Sequence, residues 1–268
     1  MIKLMYVTAD PATAQRACAA GVDRVFVDLE YINKAERQRG RDTLVSANTI
    51  DDVSRVRAAV PDADLLVRVN PLSPASGHEV EAVVARGADI VMLPMVMDAD
   101  DAGAFVSAVS GRARTCLLLE TPQSLVRMDT ILDVAGVDEI YIGLNDMHIG
   151  MGLQFMFELL SGGIVEYMAA KARERGVPFG FGGVARIGDG ALPAEAILGE
   201  HYRLGSSSVI LSRAFRGESG LGASEFDLAG ELERLRACER EIADWGPDAF
   251  EANRLTVIRH VSEIVGRQ

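Results

Sequence analysis

Residues 136–146 read GVDEIYIGLND, and this stretch decides the fold. Its glycine is followed by a small residue and an aspartate, then by a short apolar run that ends in polar residues. Close copies are GVDRVFVDLE at 21–30 and GADIVMLP at 87–94, and looser copies are GVPFGFGG at 176–183 and LGSSSVILS at 204–212. We expect the glycine of each copy to end a helix and the apolar run to be a strand buried on both faces.

The intervals between these copies hold further units of the same kind. Together they predict eight strands, near residues 2–8, 24–29, 64–69, 89–94, 114–120, 138–143, 178–182 and 207–212. Helices are predicted between them, for example over residues 11–20, 50–59, 99–109 and 165–175. This alternation is typical of βαβ units around a parallel sheet. Eight units favour a closed α/β barrel, the (β/α)8 or TIM barrel, over an open doubly wound sheet, and no GxGxxG motif leads from a strand into a helix.

The C-terminal part of the chain follows a glycine-rich joint at residues 217–222. Beyond it, Leu228, Leu232 and Leu235 stand at helical spacing, which predicts the helix that closes the barrel. We therefore assign residues 1–216 to the barrel core and residues 217–268 to a closing helix and a C-terminal helical tail. Packing of this tail on a neighbouring subunit is left open, so a homo-oligomer is an expectation.

The bulk composition fits one large domain, since 268 residues with 49% hydrophobic and 25% charged content suit an undivided barrel. No apolar run approaches the roughly 18 residues of a membrane span, and the opening residues do not predict export. Cys18, Cys116 and Cys238 lie far apart, which favours a reduced, cytoplasmic location. A net charge of −12 argues against nucleic acid or a membrane surface as partner, but not against a small anionic substrate.

Two carboxylates end adjacent predicted strands. Glu120 follows the apolar run TCLLL, and Asp146 follows EIYIGL one unit later. A carboxylate at the end of a buried strand is costly unless it is paired, hydrogen-bonded or bound to a metal, and both should reach the same rim of the barrel. Mg²⁺ or Mn²⁺ often uses only one or two protein carboxylates, so this pair predicts a divalent metal site. An ion pair with a rim arginine or a helix cap is the alternative.

Arg68 ends another apolar strand, LLVR, where a guanidinium could hold a carboxylate or an enolate oxygen. A structural ion pair with Glu30 or Glu120 is the other interpretation. The three lysines are Lys3, Lys34 and Lys171, and none ends a predicted strand, where a Schiff-base lysine would be expected. A metal is therefore expected to act as the electron sink instead.

Four motifs in the same order resemble one known family. They are FVDLE at strand two, LVRVN at strand three, LLLET at strand five and GLNDMHIGMG at strand six. Over residues 1–215 they are similar to the HpcH/HpaI aldolases and citrate lyase β-subunits. The resemblance implies a phosphoenolpyruvate/pyruvate-type barrel that binds Mg²⁺ or Mn²⁺, acts on an oxo acid and forms a trimer or hexamer.

The resemblance also implies roles for single residues. Glu120 and Asp146 match the family's metal-binding carboxylates. Arg68 matches the arginine that contacts the 2-oxo acid and its enolate. The pattern from Gly143 through Asn145 to Asp146 matches the loop that covers the substrate carboxylate.

This chain departs from the family at the residue after the strand-two glutamate. The aldolase branch has histidine there and the citrate lyase branch has aspartate, whereas this chain has Tyr31. The citrate lyase branch also reads Pro-Lys after strand four, where this chain has Pro94 and Met95, and its later Lys-x-x-x-His-Pro segment is missing. A coenzyme A thioester is therefore less expected as substrate than a free oxo acid.

The acid–base residue is consequently open. His148 lies two residues beyond Asp146 and has a side chain suited to proton transfer near neutral pH, although a backbone-bonded histidine is an equal alternative. Glu30 is the second catalytic candidate, and Tyr31 or a metal-bound hydroxide are others. Arg186 and Arg213, from strands seven and eight, are candidates for the distal part of the substrate. A basic stretch, either a solvated face or a mobile lid, is formed by Arg37, Arg39 and Arg41.

The residues and the resemblance together predict a divalent-metal-dependent carbon–carbon lyase, a class II-type aldolase that acts through a pyruvate-like enolate on a 4-hydroxy-2-oxo acid. Arg68 would add positive charge beside the enolate oxygen. One alternative is a coenzyme A thioester lyase of the citryl or malyl type. Another, from a different class, is a catalytically idle barrel that acts as a binding subunit.

Overall fold

The computed structural model describes residues 1–32, 48–216 and 226–266. Eight parallel strands close into a barrel in the order of the chain, with β8 paired to β1. The strands are β1 (Lys3–Val7), β2 (Arg24–Asp28), β3 (Asp64–Arg68), β4 (Ile90–Leu93), β5 (Arg114–Leu119), β6 (Glu139–Ile142), β7 (Phe179–Val184) and β8 (Ser208–Leu211). Each strand falls at its predicted position, and the (β/α)8 barrel is confirmed.

Helices surround the barrel in the described ranges. They are α1 (Pro11–Ala19), α2 (Ile50–Ala59), α3 (Ser76–Ala85), α4 (Ala99–Val109), α5 (Pro122–Val126), α6 (Met128–Leu132), α7 (Leu144–Gly150), α8 (Glu158–Ser161), α9 (Ile164–Glu174), α10 (Ala194–Leu204), α11 (Leu228–Ala243) and α12 (Pro247–Val265). The predicted helices over residues 50–59 and 99–109 are confirmed at both ends. None of the helices described is both long enough and apolar enough to serve as a transmembrane segment.

Gly21 and Gly87 end helices, as predicted, because each directly follows the C-cap of its helix, α1 or α3. The prediction is wrong for Gly136, since α6 already ends at Leu132. Gly21, Gly87 and Gly136 have φ angles of 100°, 91° and 94°. This left-handed region costs glycine little because glycine has no Cβ, so the chain can leave a helix and turn at once into the next strand. The looser copies behave alike, since Gly176 and Gly205 also have positive φ.

The aspartate two residues after each of these three glycines has a second role, which the sequence pattern did not predict. Its carboxylate accepts a hydrogen bond from a backbone N–H of the preceding strand. The pairs are Asp23 with Leu4 at 2.8 Å, Asp89 with Leu65 at 2.8 Å and Asp138 with Thr115 at 2.7 Å. In each copy the aspartate therefore joins two neighbouring strands at the N-terminal end of the barrel.

The barrel interior is apolar above a buried ion pair. Near its N-terminal end, the Nη1 atom of Arg24 lies 2.7 Å from Oε1 of Glu139, and the arginine side chain is almost wholly buried. Above this pair the inward-facing side chains form one apolar cluster, made of Met5, Phe26, Leu66, Ile90, Met92, Cys116, Leu118 and Tyr141. Glu139 compensates the charge of the buried Arg24 side chain, and the apolar cluster continues toward the C-terminal ends of the strands.

The backbone hydrogen bonding between β7 and β8 is irregular, and the side chain of Tyr141 takes part in it. The register shifts between Gly180 and Gly183, so one extra residue of β7 lies opposite β8. The hydroxyl of Tyr141 lies at this irregularity: it accepts a hydrogen bond from the N–H of Ile210 at 2.9 Å and donates one to the carbonyl of Gly182 at 2.7 Å. A Cβ at Gly180 would lie 2.5 Å from the tyrosine ring, so this close approach requires glycine.

The C-terminal helices complete the molecule. The helix α11 forms as predicted: it buries Leu232, Leu235 and Ile242 and packs against α1 and α10. The tail is also helical, and α12 packs on α8 and α10 of its own chain, where Asn253 donates a hydrogen bond to the carbonyl of Ala196 at 3.0 Å. Contact of the tail with a neighbouring subunit stays a prediction. The joint at 217–222 lies outside the described residues, and the division into residues 1–216 and 217–268 stays a prediction.

His201 of α10 is a buried polar group between this helix and the barrel. Its ring stacks on Phe181 of β7 at 3.8 Å, and its Nδ1 lies 2.8 Å from the hydroxyl of Ser206. Nε2 is buried and has no hydrogen-bond partner within the described residues. Burial lowers the pKa of His201 to about 3, because the protonated ring would lose its solvation there.

This histidine predicts a loss of stability on acidification. An unfolded histidine has a pKa of about 6.5, so between there and about 3 the unfolded chain binds a proton that the folded chain does not. The free energy of unfolding should therefore decrease as the pH falls below about 6.5, by up to about 1.4 kcal/mol per pH unit from this group. Urea unfolding at pH 7, 6 and 5 measures the slope.

The variant His201→Gln should lose this part of the slope, because glutamine does not titrate. His78→Gln is the matched control: His78 is exposed on α3, so its replacement should leave the slope as in the wild type. Equal slopes for His201→Gln and the wild type would contradict the prediction.

Candidate active site

The C-terminal ends of the strands surround one cavity of about 270 Å³. Five of the residues predicted from the sequence line it together: Arg68, Glu120, Gly143, Asn145 and Asp146. The other lining residues are mainly apolar, namely Phe26, Met92, Leu118, Tyr141, Leu144, Met156, Gly182, Gly183 and Ile210. Because parallel strands of a closed barrel end at the same rim, residues far apart in the sequence meet here.

Glu120 follows β5 directly and is 3% exposed. The backbone N–H of Met95 donates a hydrogen bond to its Oε1 at 3.1 Å, and Met95 adopts a φ of 58°, which is uncommon for a residue with a Cβ. Burial, and next the charge of Asp146, raise the pKa of Glu120 to about 8, although Arg68 acts in the opposite direction. In the absence of a cation this carboxyl group is therefore mostly protonated at neutral pH.

Asp146 lies in the first turn of α7, and Gly143 is the N-cap of that helix. The glycine is needed for close packing rather than for its backbone angle, which any residue can adopt. A Cβ at Gly143 would lie 2.6 Å from Cβ of Glu120 and 2.9 Å from its Oε2. The missing Cβ of Gly143 thus leaves the space in which the Glu120 carboxylate lies beside the start of α7.

Arg68 is held in place mainly by Asp28. Its Nε and Nη2 atoms each donate to the Asp28 carboxylate at 2.8 Å, and Nη1 lies 3.3 Å from Oε2 of Glu30. Burial alone would lower the pKa of Arg68, but the charge and hydrogen bonds of Asp28, followed by the charges of Glu30 and Glu120, raise it. The guanidinium therefore stays charged.

The partner of Arg68 was only partly predicted. Glu30 is a partner, as one interpretation of the sequence had it, and Glu120 acts on Arg68 through its charge. The principal partner, Asp28, lies in the FVDLE motif of strand two and was not predicted as a partner of Arg68. The register of the parallel sheet indicates this pair, because Asp28 of β2 stands directly beside Arg68 of β3.

The candidate acid–base residues lie outside the cavity lining. Glu30 is 1% exposed and contacts Arg68. His148 is buried on α7, where its Nδ1 lies 3.2 Å from the carbonyl of Leu144 one turn earlier. Tyr31 is largely exposed. Among the described residues none of these three is part of the cavity lining, so their roles in proton transfer stay predictions.

The candidate arginines for the distal part of the substrate also lie away from the lining. Arg186 forms an ion pair with Asp189 at 2.6 Å, and its guanidinium lies 5.4 Å from the centre of the Phe226 ring. Arg213 is exposed in a short 3-10 helix, Arg213–Arg216, after β8. The three arginines of the predicted lid, Arg37, Arg39 and Arg41, lie outside the described residues, as does Lys34.

The donor set of the cavity fits a hard divalent cation. Glu120 and Asp146 supply carboxylate oxygens, the donors that Mg²⁺ and Mn²⁺ prefer. The repulsion that helps to raise the pKa of Glu120 comes from Asp146, so a cation between them would relieve it. Within the described ranges no group of three or more His, Cys, Asp or Glu side chains is close enough to hold a metal ion. The candidate ligands from the protein are therefore these two carboxylates.

Comparison with known proteins agrees with the motifs. The model of the family described as HpcH/HpaI aldolase/citrate lyase matches residues 3–177. The chain belongs to this family. The resemblance seen in the sequence is thereby confirmed, and the family name covers aldolases and lyases, which supports an enzymatic role of that type. No curated protein sequence matches the chain.

Solved structures, two of which carry the name of this family, share the fold of the chain. An HpcH/HpaI aldolase from Desulfitobacterium hafniense DCB-2 is 16% identical with a TM-score of 0.61, and the match covers 92% of this chain and 94% of that one. The citrate synthase SbnG is 15% identical with a TM-score of 0.63, covering 91% and 95%. A family member from Burkholderia cenocepacia J2315 is 16% identical with a TM-score of 0.62, covering 90% and 94%. At such identities the likeness shows the fold alone.

The space beside Gly143 gives a test of the site in this family member. Gly143→Ala should push the Glu120 carboxylate away from Asp146 and weaken Mn²⁺ binding by about 10–100-fold, as expected when the support of a ligand is disturbed. Titration with Mn²⁺ followed by electron paramagnetic resonance measures the affinity.

Gly103→Ala is the matched control, because a Cβ at Gly103 in α4 would meet nothing within 4 Å. It should leave Mn²⁺ affinity unchanged and stabilise the fold by about 0.5–1 kcal/mol, the usual gain for alanine in a helix interior. A folded Gly143→Ala variant with wild-type affinity would show that the carboxylates do not form the metal site.

Proposed function

We propose that this protein is a divalent-metal-dependent carbon–carbon lyase of the class II aldolase type. It would act through a pyruvate-like enolate on a 4-hydroxy-2-oxo acid. The observation that carries the proposal is the meeting of Glu120, Asp146 and Arg68 at one cavity, two candidate metal ligands beside one fixed cation. Family membership supports the same class of reaction.

Glu120 and Asp146 would hold Mg²⁺ or Mn²⁺. When bound there, such an ion supplies positive charge that stabilises an enolate formed beside a carbonyl group. Glu120 must give up its proton to become a ligand, since its pKa without a cation is about 8. Met95 then keeps one carboxylate oxygen fixed through its backbone N–H.

Arg68 would contact the 2-oxo oxygen of the substrate. Two of its five N–H groups donate to Asp28, which fixes the plane of the guanidinium. The remaining N–H groups are on Nη1 and Nη2, so a guanidinium that lines the cavity has donors left for an anionic oxygen. Because Asp28 orients the guanidinium before the substrate binds, little reorganisation is needed as negative charge develops on that oxygen.

Cleavage also requires a group that takes the proton of the substrate hydroxyl at C4. Glu30 and His148 are the candidates in this chain. Glu30 has the better position, because its carboxylate contacts Arg68, which itself lines the cavity, whereas His148 faces the carbonyl of Leu144.

The proposed substrate is a small oxo acid, and the proposed partners are other copies of this chain, in a trimer or hexamer.

Removal of either candidate ligand tests the proposal. Glu120→Gln and Asp146→Asn keep the shape of the side chain but remove its charge. Each should weaken Mn²⁺ binding more than about 100-fold, beyond the effect of losing only a supporting residue. Each should also abolish the Mg²⁺-dependent exchange of the pyruvate methyl protons in D₂O, which ¹H NMR measures as a sign of enolate formation.

The matched controls are Glu241→Gln and Asp100→Asn, at exposed positions on α11 and α4. Both should bind metal and exchange pyruvate protons as the wild type does. Metal-dependent exchange retained in both ligand variants would overturn the proposal. Cleavage of malyl- or citryl-coenzyme A by a protein inactive on free oxo acids would instead favour the thioester lyase.

A further inference from the structure

The cavity has a polar part and an apolar part. Its charged groups, Arg68, Glu120 and Asp146, belong to β3 and to the segments that follow β5 and β6. Below them the floor is made by side chains of the barrel interior, namely Phe26, Met92, Leu118, Tyr141 and Ile210. The position of each floor residue within its strand directs it into the barrel, where the apolar cluster continues.

Tyr141 does not make this floor polar. Its hydroxyl accepts from the N–H of Ile210 and donates to the carbonyl of Gly182, so both of its hydrogen-bonding directions are turned toward the β7–β8 irregularity. The tyrosine therefore offers a ring, and not a free hydroxyl, to a ligand on the floor. A polar group placed there would lose its water without gaining a partner from these five side chains.

The cavity is larger than the smallest oxo acid needs. A volume of about 270 Å³ equals that of about nine water molecules, at the roughly 30 Å³ that each occupies in the liquid. The charged groups take up only the carboxylate and the 2-oxo oxygen of an oxo acid. A donor held by these groups through its carboxylate and its 2-oxo oxygen would have the apolar floor available for a substituent of its carbon chain.

We propose that the oxo acid released and taken up by this protein carries an unbranched alkyl group at C3, as 2-oxobutanoate and 2-oxopentanoate do, and that the floor holds this alkyl group. This inference rests on the proposed function. In cleavage, the C3–C4 bond breaks, its electron pair passes into the enolate, and the hydroxyl proton at C4 goes to the base as the aldehyde forms. The enolate then takes up a proton at C3 to give the alkyl-substituted 2-oxo acid.

The first test compares donors on the wild-type enzyme with Mg²⁺. Dissociation constants for pyruvate, 2-oxobutanoate, 2-oxopentanoate and 2-oxoglutarate are measured by calorimetry, and exchange of the C3 protons in D₂O is measured by ¹H NMR. Each buried methylene group should strengthen binding about fourfold. The second carboxylate of 2-oxoglutarate should remove this gain, because the floor has no partner for it.

The second test changes the floor with an isosteric pair of variants. Ile210→Val and Ile210→Thr differ only in a methyl group and a hydroxyl. Ile210→Val should keep the preference for 2-oxobutanoate over pyruvate, whereas Ile210→Thr should reduce it about fourfold or more. Leu255→Ala, at an exposed position on α12, should leave the ratio at the wild-type value.

The outcomes separate this inference from the proposed function. If no oxo acid binds or exchanges its C3 protons, both are overturned. If pyruvate binds and exchanges but 2-oxobutanoate and 2-oxopentanoate are weaker, the lyase assignment stands and the alkyl donor is overturned. The lyase assignment also stands, and the alkyl donor is overturned, if activity depends on the chain length of the aldehyde acceptor but not of the donor. The apolar floor would then bind the acceptor.

Discussion

The guanidinium of Arg68 holds together the acidic end of the barrel. Asp28 binds it through two hydrogen bonds, Glu30 lies beside it, and its charge lowers the cost of burying Glu120. Removing one partner of such a buried pair usually costs about 3–5 kcal/mol, because the other charge is left without compensation. The same contacts that keep this end of the barrel stable therefore also fix the orientation of the group proposed to meet the substrate.

Arg68 is one fixed cation among several acids, and the opposite side of the cavity is apolar. Burial, and next the charge of Asp146, raise the pKa of Glu120 to about 8, so without a further cation this carboxyl group is mostly protonated at neutral pH. A divalent cation held by Glu120 and Asp146 would offset the repulsion between their carboxylates. The opposite side of the cavity is apolar because the inward-facing strand residues continue the barrel core, and Tyr141 uses its hydroxyl on the backbone of β7 and β8. Charge and apolar surface are thus separated within one small space.

Most of the fold could be predicted from the sequence because its signal is local. A glycine and the apolar run of strand length that follows it are adjacent in the chain, so their repetition placed five of the strands, and the remaining stretches placed the other three. The site followed in part from the same reasoning. Once strands are parallel and closed into a barrel, Glu120 and Asp146 must reach one rim, together with Arg68 and Gly143.

By itself the sequence determined the strand order, the rim residues and the membership of the family, since all three depend on local pattern and motif order. Only the tertiary structure decided which atoms meet. Asp28 became the main partner of Arg68 because the register of β2 and β3 sets them side by side. His148 turned toward the backbone of α7 because helix geometry directs it there, and Tyr141 replaced a backbone partner where β7 is irregular. Such contacts depend on register and on packing across the barrel, which no stretch of neighbouring residues specifies.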